Sequence, residues 1–545
     1  MKKLATLLLA AGMVLGSLTG AQAIDWKVKG TWQFEFGYYD IGNAFNRNVN
    51  GRVPGVGRAE RYGTSATANG DNFAAGQRTN IQVDAVASES LSGTLFFEMG
   101  QYLWGKGLGD PNWGDKTRGG ALGQRSGGVA VRQAYIDWIM PNTDLRVRMG
   151  IQRLDTPSFT FGVNVFHEDV AAVVLNYKFN DNVSLTAFWA RPYNDNFAGD
   201  GRDQAASLDN VDSFGVVLPL TFDGFKVTPW GLVGAIGPNT FRGVTANAAG
   251  NNAPVWGQRV NHVVAGMTPY YWDTHNRRAG WRGSRQYATA WWAGLTGEIT
   301  AADPFRFAWD ATYGSVSYPD AGYMDRHGWY INVLAEYKLD WGVPGLYAWW
   351  ASGDNGNPRD GSERMPVFVA ATPDNMLSTF GHTGSPAVGS PDGAMGNSSY
   401  TGTWGIGARI RDMSFLEDLK HTLRVNFFGG TNDPQMAKYM LGKKTIGGIG
   451  NIRSANNSDF NTGGGAAPYL TSRDYGLEIN FDTVYKIYEN LELFVELGYI
   501  HLWLDQSRSV WGGAPANYYY AGQPAIRGVS VTDGIKAAMY IKYSF

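Results

Sequence analysis

Arginines stand at every second position in two segments of the chain, and this spacing limits the chemistry they can perform. Arg146 and Arg148 alternate with aliphatic residues, and so do Arg409 and Arg411. Side chains along a β-strand point alternately to opposite faces, so each segment has one charged and one apolar face. An arginine that faces lipid at the bilayer midplane costs about 2–4 kcal/mol. The spacing therefore predicts membrane-spanning strands whose arginines face a watery interior.

Other charged residues follow the same alternation. Arg424 lies between Leu423 and Val425 and completes the predicted basic set. The acidic residues predicted to face the interior are Asp84, Glu98, Asp137, Asp310, Glu336, Glu478, Asp482, Glu492 and Glu496. Opposed charges around a water-filled passage create a transverse field that orients dipolar solutes and screens ions. In the alternative interpretation, these charges only hydrate the wall and pair with one another.

The charged segments belong to a repeated pattern of short strands. Alternating stretches of roughly 10 residues recur from Val28 to Phe545, joined in turn by short turns and by long segments rich in Gly, Asn, Asp and Pro. Pairing these stretches predicts about 18 strands, with about 16 as the alternative, and either number leaves an aqueous channel. We therefore expect an all-β fold, a transmembrane antiparallel β-barrel with short periplasmic turns and long extracellular loops.

The first residues carry the pattern of a secretory signal peptide. Basic residues precede an apolar stretch from Leu4 to Leu18, and Ala21 and Ala23 form a small-x-small cleavage site. We expect residues 1–23 to be the signal peptide and residues 24–545 to form a single barrel.

Composition agrees with this fold and excludes several kinds of site. Glycine is abundant, at 72 of 545 residues, and 14% of residues are aromatic, which suits barrel bends and interfacial girdles. There is no cysteine, so disulfides and thiolate metal sites are excluded. The net charge is only -2 and no basic cluster is present, so nucleic acid is not an expected partner.

Three short pieces of sequence are similar to those of a known family. Met149–Pro157 follows a strand and resembles the start of the inward-folded third loop of Gram-negative porins; Val28–Trp32 opens the first strand, and the last strand ends on Phe545. Through these pieces the chain resembles the outer-membrane homotrimeric porins, most closely those of sulfate-reducing bacteria. The resemblance implies a homotrimer in the outer membrane of a Gram-negative bacterium, surrounded by lipid and lipopolysaccharide. It also implies that the barrel-assembly machinery reads the strand that ends at Phe545.

The same resemblance implies a constriction inside the barrel. An inward-folded loop near residues 153–169 would place its acidic residues opposite arginines of the wall at the narrowest point. The residues implied there are Arg146, Arg148, Arg153, Asp155, Glu168 and Asp169. Those expected to line the rest of the passage are Arg409, Arg411, Arg424, Glu98 and Asp137.

The expected function is that of a porin, a passive diffusion channel for small hydrophilic solutes and ions, without enzymatic activity. The chain has no G-x-S-x-G motif, and His167-Glu168 does not continue into H-E-x-x-H because Ala171 occupies the second histidine position. One alternative is a channel selective for sugars or anions, as the pairs Trp291-Trp292 and Trp349-Trp350 would suit stacking on sugars. The other is a non-conducting structural or adhesion barrel.

No cofactor is expected, with one qualification for a surface loop. A cluster of oxygen-bearing side chains there suits a hard cation such as Ca²⁺, although its spacing departs from the EF-hand pattern. Its residues are Asp354, Asn355, Asn357, Asp360 and Glu363. The alternative is a solvated cluster of turns.

Overall fold

The described part of the chain consists mainly of β-strands. The structure, a computed structural model, describes residues 24–40, 73–104, 118–119, 122, 129–160, 165–194, 208, 210–238, 240, 267, 286–368, 401–436, 470–503, 505, 507 and 533–545. The strands are β1 Asp25–Asp40, β2 Phe73–Ser88, β3 Leu91–Trp104, β4 Arg118–Gly119, β5 Val129–Ile139, β6 Leu145–Asp155, β7 His167–Lys178, β8 Ser184–Asn194, β9 Asn210–Val217, β10 Leu220–Phe222, β11 Phe225–Ile236, β12 Ala288–Ile299, β13 Phe305–Ser317, β14 Arg326–Tyr337, β15 Val343–Ala351, β16 Thr403–Leu416, β17 Leu419–Gly430, β18 Tyr475–Tyr488, β19 Leu491–Trp503 and β20 Gly534–Ser544. A short 3-10 helix, Gly322–Met324, lies between β13 and β14.

These strands form one closed antiparallel wall. β4 has two residues and pairs in parallel beside β3, while β9 and β10 both pair with β11 and act as one interrupted strand. Of the 20 strands in the sheet, leaving out β4 and counting β9 with β10 gives a wall of 18. The wall closes where β20 pairs with β1, for example through Ile541 and Phe34. Closure pairs the backbone groups that an open sheet edge would expose to lipid.

The last residue takes part in this closure. The backbone of Phe545 exchanges two hydrogen bonds with Gly30, of 2.9 and 3.0 Å. A Cβ atom at Gly30 would lie 2.6 Å from the Phe545 ring, so the aromatic side chain needs a glycine at that point of β1.

The two ends of the barrel have connections of different length. At one end, here called the short-turn end, pairs such as β2 and β3 or β18 and β19 are joined by two residues. The other end carries the connections from β6 to β7 and from β15 to β16, whose described residues are 156–160, 165–166, 352–368 and 401–402. Among the described residues, no helix is both long and apolar enough to cross a membrane.

The two faces of the wall differ in polarity. The apolar Ile406 and Val425 are exposed on the outer face, whereas Arg409, Arg424 and Asn426 are buried on the inner face. A closed barrel with an apolar outer wall is the form in which β-strands span the outer membrane of Gram-negative bacteria. The predicted fold class is confirmed, with 18 strands rather than 16, and the location agrees with the predicted one. The predicted signal peptide lies outside the described residues.

Candidate functional site

The connection between β6 and β7 enters the barrel and lies against its inner face. Its described part, residues 156–160 and 165–166, is called here the first inner loop. The backbone N–H of Phe159 donates to Asp310 of β13 at 3.0 Å, and Arg306 of the same strand donates to the Phe159 carbonyl at 2.8 Å. The loop therefore reaches strands that are distant from its own along the wall.

The first part of the connection between β15 and β16 also enters the barrel. Residues 352–368 are called here the second inner loop. Trp292 of β12 donates its indole N–H to the Pro366 carbonyl at 2.7 Å. The backbone N–H of Phe368 donates to the Val165 carbonyl at 2.9 Å, so the two inner loops meet.

Both loops cover an apolar part of the inner face. The buried inner-face residues of β11–β14, called here the apolar wall, are Trp230, Leu232, Ile236, Ala288, Ala290, Trp292, Ala308, Val316, Tyr330 and Leu334. Phe368 packs between Trp292 and Phe166, with ring centroids 5.0 and 5.3 Å away. The aromatic contacts join both loops to the wall in one hydrophobic core inside the barrel.

Glycines of neighbouring strands give the inner aromatic rings their room. A Cβ atom at Gly294 would lie 2.1 Å from the Trp230 indole, and one at Gly314 would lie 2.4 Å from the Trp292 indole. These rings fit against the wall only because the adjacent strand has a glycine, and therefore no side chain, at the point of contact.

At the short-turn end, the inner faces of the same strands and of β16 carry charges instead. Lys226, Glu298, Arg306, Glu336, Arg409 and Arg411 form what is called here the ion-pair chain. Glu336 accepts hydrogen bonds from Arg306 at 3.0 Å, Arg409 at 2.9 Å and Arg411 at 2.7 Å. Arg306 also donates to Glu298 at 2.8 Å, and Lys226 donates to Glu298 at 2.9 Å. One carboxylate is thus shared by arginines from two separate strands.

Further round the wall, acidic and basic side chains pair across adjacent strands. Arg424 of β17 donates to Asp482 of β18. Lys536 of β20 pairs with Glu496 of β19 at 2.5 Å, and both are almost completely buried. Charges removed from water in this way need a partner, since an unpaired buried ion is strongly unfavourable.

A third group of charges links β3 and β5 to the hairpin of β6 and β7. Arg132 donates to Asp169 at 2.8 Å and to Glu98 at 3.2 Å, and Gln133 donates to Asp169 at 2.8 Å. Arg78 lies 3.9 Å from the same Glu98 carboxylate.

This network lies where the hairpin separates from the wall. Pairing between β5 and β6 ends at Ala134 and Ile151, whereas β6 and β7 remain paired as far as Asp155 and His167. Gly150, at φ +134°, lies next to the last pair, and a Cβ there would lie 2.2 Å from a carbonyl of β5. The network of Arg132 therefore holds the separating hairpin to the neighbouring strands.

Exposure of the inner charges changes along the barrel. At the short-turn end the Arg411 side chain is 37% exposed, while Arg409, two residues further in, is 3% exposed. Lys542 is 34% exposed, whereas Lys536 on the same strand is 2% exposed. The short-turn end thus forms a solvent-accessible entrance, called here the wet vestibule. Toward the middle of the barrel the inner charges are less accessible to solvent.

The structure does not bring the predicted constriction arginines to the predicted acids. Arg146 and Arg148 lie at the short-turn end of β6, where both bind Asp137, at 2.5 and 2.6 Å. From Arg148 to Asp155 the strand rises about 23 Å, at ~3.3 Å per residue. The interpretation that these arginines face the loop acids is wrong, because the resemblance gave no register along β6.

The connection between β6 and β7 is shorter than the predicted inward-folded loop and lies within its bounds. Arg153 and Asp155 belong to β6, and Glu168 and Asp169 belong to β7, so the connection itself comprises residues 156–166. Arg153 lies 3.0 Å from Asp155 and 3.8 Å from Glu168. These four residues therefore lie at the ends of the two strands, where the connection begins. The part that reaches across the barrel is the first inner loop.

Sequence reasoning overlooked several basic residues of these networks, among them Arg306 and Arg132. Arg306 alternates with Phe305 and Phe307, so the rule that found Arg409 would have found it as well. Arg132 lies at an irregularity, where Phe96 pairs with residue 133 and Phe97 with residue 131. An extra residue in a strand breaks the alternation, so the sequence carries no signal for Arg132.

The tryptophan pairs do not present rings for sugar stacking in this structure. Trp292 is 1% exposed and Trp349 is 5% exposed on the inner face, while Trp291 and Trp350 are exposed on the outer face. The inner rings are covered by the second inner loop or by the wall itself.

The oxygen-bearing cluster of the second inner loop is held by its own hydrogen bonds. The Asn355 amide donates to Glu363 at 2.8 Å and to Asp360 at 3.2 Å, and Asn357 donates to Asp360 at 2.9 Å. Burial, with the nearby Asp354 and Asp360 carboxylates, raises the pKa of the Glu363 carboxyl above its usual range. In the part of the chain that the structure describes, no group of three or more His, Cys, Asp or Glu residues is arranged to hold a metal ion. The Ca²⁺ hypothesis stays a prediction.

Comparison with known proteins gives only distant likenesses. No protein-family model and no curated protein matches the chain. Among solved structures, OccK3 (OpdO) of Pseudomonas aeruginosa is 9% identical, with 96% of each chain covered and a TM-score of 0.45. OccAB3 of Acinetobacter baumannii is 10% identical, with 96% of this chain and 99% of that chain covered and a TM-score of 0.47. OprD of P. aeruginosa is 10% identical, with 96% and 97% covered and a TM-score of 0.45. These likenesses are too weak to assign a function.

Proposed function

We propose that this chain is a porin, a channel for passive diffusion of small hydrophilic solutes and ions across the outer membrane. The observation that carries the proposal is the wet vestibule, whose exposed charges, such as Arg411 and Arg146, lie inside a closed barrel with an apolar outer wall. A wall of 18 strands is wide enough for water to enter.

The inner loops supply the second requirement of such a channel, which is a limit on solute size. They occupy one side of the interior, above β11–β14, and the charges of the remaining strands lie opposite them. A solute would then pass between a loop surface and a charged wall, where the transverse field orients it.

Conductance of the purified protein in planar lipid bilayers tests the proposal. We expect stepwise increases in current on insertion, and a reversal potential in a salt gradient that reports the charge preference. Protein unfolded by heat before addition is the control. Folded, inserted protein that leaves the bilayer impermeable to small ions would contradict a channel and favour a structural or adhesion barrel.

A substrate-selective channel is the second candidate. The observation that favours it is that the inner loop and the partly exposed charges Arg306 and Arg411 lie on the same side of the interior, where a passing solute would meet them together. Liposome swelling with uncharged sugars of graded size and with charged amino acids separates the two candidates. A general channel ranks all solutes by size, whereas a selective one admits a charged solute faster than a smaller neutral one.

The partners follow from the resemblance alone. We propose a homotrimer with one passage per subunit, surrounded by lipid and lipopolysaccharide, whose β20 is read by the barrel-assembly machinery. We also propose that the short-turn end faces the periplasm. The likeness to porins of sulfate-reducing bacteria stays a prediction.

A further inference from the structure

Asp310 is a buried carboxylate in the middle of the barrel interior. It lies on the inner face of β13 and is 3% exposed. The hydrogen bonds described for it come from hydroxyl and backbone N–H groups, although Arg306 lies on the same face four residues away. Arg306 directs its guanidinium to Glu298 and Glu336 instead.

Most of the donors to Asp310 belong to the first inner loop. Ser158 donates its hydroxyl at 2.6 Å, and the backbone N–H groups of Phe159 and Thr160 donate at 3.0 and 3.3 Å. The Thr160 hydroxyl donates to the same carboxylate. From the wall, Thr296 of β12 adds its own hydroxyl. One carboxylate therefore accepts hydrogen bonds from three consecutive residues of the loop.

The neighbours of Asp310 hold the same part of the loop. Arg306 donates to the Phe159 carbonyl at 2.8 Å, and Asn332 of β14 donates to the Thr160 hydroxyl at 3.3 Å. Thr160 itself is 3% exposed. The seat of the loop is thus built from two adjacent strands, with Asp310 as the acceptor that receives most of its bonds.

We propose that Asp310 is the positioning residue that holds residues 158–160 against the inner wall and so sets the width of the passage. The proposal rests on the proposed channel function. A charged acceptor binds its donors more strongly than a neutral one, and an amide in its place would turn an N–H group toward them. Loss of one such bond shifts the balance between the docked and the released loop on the order of tenfold.

Three substitutions separate a role in holding the loop from a role in stabilising the wall. Asp310→Asn removes the charged acceptor with little change of shape, and Thr160→Val removes one donor on the loop side. Thr296→Val is the matched control, because it removes a hydroxyl donor to the same carboxylate but Thr296 lies on β12, within the wall. Should Asp310→Asn fail to fold, Thr160→Val still tests the proposal.

The first readout is single-channel conductance with polyethylene glycols of graded size in the bath. We expect Asp310→Asn and Thr160→Val to give higher or strongly fluctuating conductance and to admit larger polymers, while Thr296→Val keeps the wild-type cut-off. An unchanged conductance and cut-off in folded Asp310→Asn would overturn the proposal. Equal changes in all three variants would overturn it too, since they would reflect the wall and not the loop.

The second readout does not depend on conduction. The chain has no cysteine, so a single Pro157→Cys substitution places one reactive thiol beside the docked residues. We expect a water-soluble maleimide to label it at least severalfold faster when combined with Asp310→Asn or Thr160→Val, and not when combined with Thr296→Val. Equal labelling rates would refute the loop-holding role even if the protein proved not to be a channel.

Discussion

The inner faces of β11–β14 differ between their two ends, although the same four strands supply both. Toward the long connections they form most of the apolar wall, where Trp292 and Val316 are completely covered. At the short-turn end they carry four of the six residues of the ion-pair chain, of which Arg306 and Lys226 remain partly exposed to water. Alternation of apolar and polar faces is enough to form a barrel. Whether the side chains of the inner face are apolar or charged then decides whether that part of the wall binds a loop or lines a passage.

The physical reason lies in the cost of covering each surface. Covering apolar surface gains about 25 cal/mol for each Å² removed from water, so a loop that lies on the apolar wall is stabilised there. Covering a charged surface requires removing water from ions, and this cost exceeds the gain unless every ion keeps a partner. Val165 and Phe166 of the first inner loop and Phe368 of the second therefore dock on the apolar wall, whereas residues 158–160 are held by hydrogen bonds to Asp310 and Arg306. Lys226 and Arg411 of the ion-pair chain stay partly exposed in the vestibule.

The apolar wall gives the largest expected effect. Trp292→Ala removes the ring that contacts Phe368 and the N–H that binds the Pro366 carbonyl. We expect it to lower the free energy of unfolding by about 4–5 kcal/mol, as for other buried aromatic residues cut to alanine. Urea unfolding in phospholipid vesicles measures the change.

The adjacent residue supplies the control for this substitution. Trp291 lies on the same strand but faces outward and is 42% exposed. Trp291→Ala should cost clearly less, because no cavity forms on a lipid-facing surface. Equal losses for Trp291→Ala and Trp292→Ala would show that the core inside the barrel adds nothing beyond the wall itself.

The ion-pair chain gives a smaller loss of stability but a change of selectivity. Glu336→Gln leaves Arg306, Arg409 and Arg411 without their shared carboxylate, and Arg409 is the most buried of the three. Breaking a buried pair from one side costs about 3 kcal/mol. The interior also becomes more positive, so the reversal potential in a salt gradient should move toward that of the anion.

An exposed pair on the same inner face serves as the comparison. Glu492 lies 3.7 Å from Lys542, and each side chain is 34% exposed. Glu492→Gln should therefore change the free energy of unfolding by less than about 1 kcal/mol. A loss as large as that of Glu336→Gln would mean that burial does not govern the strength of these pairs.

The sequence predicts the wall of the barrel better than its contents. Strand positions and faces follow from a period of two, which is why the alternation alone places Arg409 and Arg424 inward. The position of a residue along the barrel axis does not follow from that period, and so Arg146 and Arg148 were wrongly matched with acids at the other end of β6. Residues that meet across the interior, such as Phe159 and Asp310, are 151 positions apart in sequence and leave no local pattern.

The inner loops show a second limit of the sequence pattern. The second inner loop contains Met365, Val367 and Phe368, all buried, inside a long segment rich in Gly, Asn, Asp and Pro. A few apolar residues in such a segment are typical of any surface loop. Only the matching apolar wall, which belongs to other strands, gives them a place to bind.

The packing of rings on glycines gives the smallest effect and the sharpest comparison. Gly294→Ala would place its Cβ 2.1 Å from the Trp230 indole, on the inner face of the apolar wall. Gly231→Ala, on the neighbouring strand, meets nothing closer than 3.8 Å. We expect Gly294→Ala to lower the free energy of unfolding by about 2 kcal/mol through overpacking, and Gly231→Ala to leave it unchanged or raise it by about 0.5 kcal/mol. Urea unfolding of both variants measures the difference. If Gly294→Ala were tolerated as well as Gly231→Ala, the Trp230 ring would have room to move. The glycine at position 294 would then not be needed for packing of the core inside the barrel.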